Sequence, residues 1–388
     1  MTALSLALAG AASFLVLPTS LLLVQVLASF LPPRGESGPR APRPRLAVLV
    51  PAHDEEAGIG GTLASLIPEL AEGDRVLVVA DNCADDTAER AREGGAEVVI
   101  RVDPERRGKG FALDFGLRHL AAAPPEVVIC IDADCRVEPG TLERLAILCV
   151  ESGRPAQSAN LMRFARRPGP RSRLAEFAWL FHCWVRPLGF LRLGLSCPLM
   201  GTGMAFPWKL SERLDFASSH LTEDMKLGVD LALAGFPARF CPEAQVTSHF
   251  PEVRSAIQSQ RTRWEHGHLS LILRETPRLL LASVRRRDLR LLAFTLDFAV
   301  PPLALLTAVL SGVALLSLST VAATPGRIAA AALAVLFTAI VLAWARWGRA
   351  VVSLVDLLRA PIYVLAKLPL YARYLIRRQS SWIRTERG

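Results

Sequence analysis

The chain has 388 residues, 51% of them hydrophobic and 21% charged, with a formal net charge of +9. That is more apolar surface than a purely cytosolic globule needs, and it gathers toward both ends, leaving one ordinary enzyme-sized region between. The surplus arginines lie beside apolar stretches, at Arg40 to Arg45, Arg285 to Arg290 and Arg373 to Arg387. They favour a lipid surface over nucleic acid, and no basic stripe with interleaved aromatics crosses the central region.

Met1 to Pro33 carries no charged residue, and about 20 apolar residues suffice to cross a bilayer. The first arginine follows the apolar run, the reverse of a signal peptide, so residues 1–33 are expected to be an uncleaved membrane helix. Residues 34–45, rich in Pro, Gly and Arg, read as a linker.

Apolar runs then recur at Leu46 to Val50, Val76 to Ala80, Val98 to Val102 and Val127 to Ile131, with helix-like stretches between. This alternation predicts an α/β fold with a parallel sheet and crossover helices over residues 46–275. In such sheets ligands sit beyond the carboxyl ends of the strands. Three of these ends are polar: Pro51-Ala52-His53-Asp54-Glu55-Glu56, Asp81-Asn82 and Asp132-Ala133-Asp134. Neither a G-x-G-x-x-G after the first strand nor a P-loop is present, so phosphates must be held another way.

Two carboxylates one residue apart at a strand end would repel a diphosphate unless a divalent cation lay between them. Asp132 and Asp134 therefore predict a Mg²⁺ or Mn²⁺ site. Glu223 and Asp224 open a helical pattern from Met225 to Leu233, where a plain helix cap is the competing explanation. Gln260-Arg261-Thr262-Arg263-Trp264 follows, with an amide, two guanidinium groups and an indole in a single helical run. Gly108-Lys109-Gly110 reads as a mobile loop carrying a cation, and Gly201-Thr202-Gly203 as a turn whose backbone a sugar can approach. The spacing of His249, His266 and His268 is only suggestive and a hard cation prefers oxygen, so they read as surface or satisfied histidines, and Cys135, a poor partner for such a cation, reads as structural. The seven cysteines form no C-x-x-C pair and no framework, which suits a reducing compartment.

Further apolar stretches run from about Leu291 to Thr324, broken by Asp297, and from Ile328 to Ala345. With a Pro325-Gly326 turn between them they predict a transmembrane hairpin over 291–347, preceded by a basic interfacial segment, 276–290. Residues 348–388 read as an amphipathic interfacial helix and basic tail, with a fourth crossing as the alternative. The arginine bias places the central domain and the C-terminus in the cytoplasm, at an inner (plasma) membrane.

Taken in order, the segment after the first strand, Asp81, Asp132-x-Asp134, Thr222-Glu223-Asp224 and Gln260-x-x-Arg263-Trp264 resemble a family 2 glycosyltransferase. The likeness spans Leu46 to Trp264 and is strongest to membrane-embedded cellulose, hyaluronan, chitin and poly-N-acetylglucosamine synthases and to ceramide glucosyltransferases. It implies a GT-A-like, Rossmann-type domain flanked by transmembrane helices, and transfer with inversion of a hexose or N-acetylhexosamine from a UDP-sugar to a glycan or lipid acceptor. It further implies that Ala52, His53, Glu55, Asp81, Lys109, Asp132, Gln260 and Arg263 bind the donor, with Asp134 and Asp132 at the metal. Asp224 would be the general base, and Gly201, Thr202, Gly203, Glu223 and Trp264 would face the acceptor. Three spans are few for a polymer channel, so a short glycan, a glycolipid, a homo-oligomer or a secretion partner all stay open. The non-enzymatic alternative is an inactive nucleotide-sugar-binding subunit.

Overall fold

The computed structural model describes residues 3–33, 42–164, 168–218, 220–251, 253–318 and 323–376. They form two compact units. One holds residues 42–164 and 196–267, and the other holds 3–33, 168–195 and 268–376.

The first unit is built on one eight-stranded sheet. In chain order its strands are β1 (Leu46–Ala52), β2 (Arg75–Asp81), β3 (Glu97–Arg101), β4 (Val127–Cys130), β5 (Arg136–Val137), β6 (Ala156–Arg163), β7 (Met204–Pro207) and β8 (Arg239–His249). The spatial order is β3-β2-β1-β4-β7-β6-β8-β5. The first four are parallel, as their near-continuous apolar runs suggest for strands buried on both faces. Every residue of β4 is buried, as is every residue of β1 except Pro51. The wholly parallel sheet expected from the sequence ends there: β7 runs antiparallel to β4, β6 is antiparallel to β7, and β5 is antiparallel to β8. The result is a mixed α/β sheet.

A core of Val48, Val50, Ile129, Ile131, Leu142, Leu145 and Val246 fills one face of this sheet. At about 25 cal/mol per Å² of apolar surface, each such side chain contributes about 1.5–3 kcal/mol, which fixes the strand ends that carry the polar loops. On the opposite face, Gly116 lets its helix lie directly against Leu49 and Val79.

In the second unit, the helix Ala3–Ser29 packs against Thr324–Ala343 through a core that includes Leu22, Val26, Leu336 and Ala339. Residues 5–29 and 324–348 are each long and apolar enough to span a bilayer. The continuous second span expected from about Leu291 to Thr324 is instead two helices, Leu289–Phe298 and Leu303–Ser317, bent by 79°. Pro301-Pro302 lies at the break and removes two backbone donors. By length and composition the described residues hold two spans, or three if the bent pair counts as one. Pro325 and Gly326 are not a hairpin turn but lie in the first turn of Thr324–Ala343, where proline's missing N–H costs nothing. Buried in this unit, Asp297 accepts from Arg186 Nη2 and Gln25 Nε2, both at 2.7 Å, so its charge is compensated. No cysteine of the chain is in a disulfide.

Candidate active site

The loop after β1 is tied to the end of β2. The His53 ring Nδ1 lies 2.6 Å from the carbonyl oxygen of Asp81. Asp54 sits in the left-handed region (φ 51°) and accepts from the Ala84 amide at 2.6 Å, while the Glu55 amide donates to Thr87 Oγ1 at 2.7 Å. Ala52, 3% exposed, accepts from the Cys83 thiol through its carbonyl.

Asp81 is buried and ion-paired to Arg101 at 2.6 Å. Burial raises its pKa despite the opposing guanidinium. Asn82 Nδ2 donates to the same Asp81 oxygen, and Arg101 also donates to Asp103 and to the carbonyl of Arg106. Arg101 was not among the sequence candidates. Its signal was the parallel register, which sets the last residues of β2 and β3, Asp81 and Arg101, side by side.

The loop after β4 carries the acidic pair. Ligand atoms of Asp132, Asp134 and Cys135 lie within 4.8 Å of one another. Burial, then Asp134 and Asp132, push the Cys135 thiol well up, and a soft thiol is a poor partner for a hard cation, so Asp132 and Asp134 are left as the oxygen donors. That donor set fits a hard cation such as Mg²⁺ or Mn²⁺. Glu55 lies close to this loop, because a Cβ placed on Gly58 would sit 3.4 Å from Glu55 Oε2 and 3.6 Å from the Ala133 carbonyl.

Lys109 joins this loop to the second acidic pair. It is not on a mobile loop: Gly108, at φ 127°, caps the helix Lys109–Leu120, and Lys109 is its first residue. Glycine flanks made it look like a turn, yet glycine is also suited to the cap itself. Its Nζ lies 2.5 Å from Asp132 Oδ1, 2.5 Å from the carbonyl of Gly201 and 4.0 Å from Glu223 Oε1. Burial alone would lower the pKa of Lys109, but Asp132 and Glu223 outweigh it and hold it above the ordinary lysine value.

Glu223 and Asp224 occupy the first turn of the helix Glu223–Ala234. A helix N-terminus favours carboxylates, but burial dominates here. It pushes Glu223 up to about 7, with Lys109 opposing and Asp224 adding to the rise. Asp224 is raised as well, first by burial, against Lys109. A Cβ on Gly201 would lie 3.4 Å from Asp224 Oδ2.

Thr202, 2% exposed, accepts from the Asp132 amide at 3.0 Å, and a Cβ on Gly203 would overlap the hydroxyl of Ser158. Thr202 therefore braces the Asp132 loop, and Gly203 packs closely against β6. Gln260, Arg263 and Trp264 lie on the helix Arg254–Arg286 with Gly267, at spacings that share one face. At Gly267 that face meets Thr222, immediately before the acidic pair, since a Cβ there would come 2.8 Å from Thr222 Cγ2. Gln260 is 3% exposed, and His266 is fully buried. Lys109, Asp132, Asp134, Gly201, Thr202, Glu223 and Asp224 thus form one constellation, with Ala52, His53 and Asp81 grouped at the neighbouring strand ends.

Comparison with known proteins gives a consistent picture. Residues 42–267 match the family described as glycosyltransferase like family 2. The chain is 27% identical over 246 residues to a probable glycosyltransferase, YdaM, of Bacillus subtilis, covering 60% of this chain and 57% of that one. It is 23% identical over 238 residues to the poly-beta-1,6-N-acetyl-D-glucosamine synthase of Staphylococcus aureus, covering 59% of this chain and 56% of that one. This chain thus spans under three-fifths of either relative's length. Among solved structures, a mannosyltransferase from Pyrobaculum calidifontis, in complex with GDP-Man and Mn²⁺, superposes with a TM-score of 0.56. It is 18% identical and covers 96% of this chain and all of that one, a likeness of fold.

Proposed function

This chain belongs to glycosyltransferase-like family 2, and on that premise we propose that it transfers a hexose or N-acetylhexosamine from a UDP-sugar, with inversion, to a glycan or lipid-linked acceptor. The observation that carries the reading is Lys109 set between Asp132 and Glu223, with Asp224 adjoining. A leaving diphosphate needs positive charge, and an attacking hydroxyl needs a base. This cluster supplies both within one group of neighbouring charges.

Asp132 and Asp134 would hold Mg²⁺ or Mn²⁺, which when bound supplies positive charge to the leaving diphosphate. Lys109 adds a fixed ammonium beside it, and Gln260 and Arg263 offer an amide and a guanidinium to the phosphate oxygens. Asp81, Ala52, His53 and Glu55 line the nucleoside end. Asp224 takes the proton of the acceptor hydroxyl as that oxygen bonds to the anomeric carbon. The bond from that carbon to the diphosphate oxygen breaks, and UDP carries off the electron pair. A raised pKa makes Asp224 a stronger base than an exposed aspartate. One base and one displacement give inversion. Trp264 presents an indole face to an acceptor sugar.

In the same reading residues 5–29 and 324–348 span the bilayer, and the arginine bias puts the sheet unit on the cytoplasmic side. The sheet unit is interrupted by residues 168–195, which cluster with the helical unit.

The test is UDP release from a panel of UDP-sugars, with GDP-mannose as the contrast, by the full chain in nanodiscs, with and without Mg²⁺ or Mn²⁺. Asp224→Asn should lower transfer at least about 10²-fold and leave UDP binding within threefold. Full activity in Asp224→Asn removes that residue from the mechanism.

A further inference from the structure

Beside the acidic pair the sheet unit holds a cavity of about 310 Å³, bounded by the start of the helix Lys109–Leu120, the segment around Phe216 and the helix Glu223–Ala234. Glu223 and Asp224 both line it. It is at the small end for ligand sites, a size for one sugar ring and not for a chain. Gly110 makes it possible: a Cβ there would collide with the backbone of Phe216 and Ser218, so only glycine lets that segment close over the helix.

The walls are of two kinds. Leu113, Met204, Phe216 and Leu227 are apolar, and Phe216 is fixed edge-on against Phe206 at 5.4 Å. Among the described residues the polar lining carries four carboxylates, Asp215, Glu223, Asp224 and Asp230. Its one lysine, Lys226, is already held on both oxygens of Asp230, at 2.6 and 2.5 Å. Among the described residues Asp215 accepts from the amide of Ala217, at 3.0 Å, and from no cation. Ser218 and His220 complete the polar lining with a hydroxyl and an imidazole.

Resting on the transferase reading above, we infer that this cavity receives the acceptor and selects for an uncharged sugar or polyol end, excluding phosphorylated or carboxylated acceptors. Hydroxyl groups donate to carboxylates, and the C–H face of a sugar ring packs on the apolar wall. An anion would lie among like charges with no uncommitted lysine or arginine in the lining. The base proposed for the reaction stands in this wall, which is where the reacting hydroxyl must be.

The experiment uses the full chain in nanodiscs, with methyl β-D-glucopyranoside and 3-phosphoglycerate as probes at equal concentration. Saturation-transfer NMR reads binding, and labelled UDP-sugar reads transfer. The neutral probe should bind at least tenfold more tightly than the anion and be the better acceptor. In the double variant Asp215→Asn, Asp230→Asn, which strips two charges and frees Lys226, that ratio should fall at least tenfold. Equal binding of the two probes by the unmodified protein overturns the inference, as does an unchanged ratio in a folded double variant. UDP release from no donor would refute the transferase reading instead, and the binding ratio still judges the cavity by itself.

Discussion

Lys109→Met keeps the side-chain length and removes the ammonium, which makes it the sharpest probe of the acidic cluster. Lys109 Nζ stands 4.0 Å from Glu223 Oε1. At an effective dielectric of about 20 such a pair is worth about 4 kcal/mol, or about three pH units at 1.36 kcal/mol per unit. Both side chains are about one-fifth exposed, 19% and 20%, and solvent screening brings the expected effect down to about one or two units. Glu223, at about 7 in the ligand-free protein, should therefore titrate about one to two units higher in the variant. The sign for stability follows. A carboxyl whose folded pKa is raised favours the folded state at low pH, and that contribution fades as pH climbs from about 4.3, the free value, through its folded pKa. In Lys109→Met the decline should continue about one to two units further into alkali. Lys109, whose own pKa is raised, keeps its charge across this whole window, while its pairing with Glu223 strengthens only as Glu223 ionises. The assay is a ¹³C-carboxyl titration of the ligand-free full chain, with Glu223→Gln to assign the signal and melting temperatures followed in parallel. A Glu223 titration that stays within about 0.5 unit of the unmodified protein, or moves toward acid, refutes the placement of Lys109 as its counter-ion.

Arg101→Met leaves Asp81 buried without its guanidinium and should cost about 3–5 kcal/mol. Chemical denaturation measures this, and a loss under 1 kcal/mol would mean the pair is not buried as described. Gly203→Ala forces a Cβ onto Ser158 at a left-handed φ of 66°. It should cost about 1–3 kcal/mol by melting, and a change within about 0.5 kcal/mol contradicts the packing. Cys135→Ala should keep Mn²⁺ affinity within threefold by isothermal titration, because a soft thiol is a poor partner for a hard cation; a tenfold loss would make Cys135 a ligand.

The first four strands could be read from the sequence because each is a short apolar run bounded by turn residues. Their polar ends could be read as well, since a buried strand must shed its charges where it stops. What the sequence did not show was partnership. Nothing in Met204–Pro207 says that it joins β4 antiparallel and turns a parallel sheet into a mixed one. Hydrophobic period identifies a strand but not its neighbour. The same limit hid Arg101, which matters only because β2 and β3 end in register. Pro301-Pro302 was legible in principle, but a long apolar average conceals a break that two residues impose.

The exactness of the acidic cluster rests on polar residues inside the sheet that no motif marks. Gln157, fully buried on β6, accepts from the Met200 amide at 2.8 Å and donates to the carbonyl of Thr202 at 2.8 Å. Asn160, 6% exposed, donates to the carbonyl of Met200 at 2.7 Å. Together they fix the segment 200–203, whose Gly201 carbonyl receives Lys109 and whose Thr202 hydroxyl receives the Asp132 amide. Burying an amide costs about 1–3 kcal/mol unless its hydrogen bonds are made, so side chains of this kind inside a strand are tolerated only where they secure something. Here they secure a loop that has to set an ammonium between carboxylates of two different elements, at 2.5 and 4.0 Å. Apolar packing holds the strands but has no directional preference fine enough for that. The cluster's geometry is therefore a property of the sheet's buried amides as much as of the acidic residues that the sequence displays.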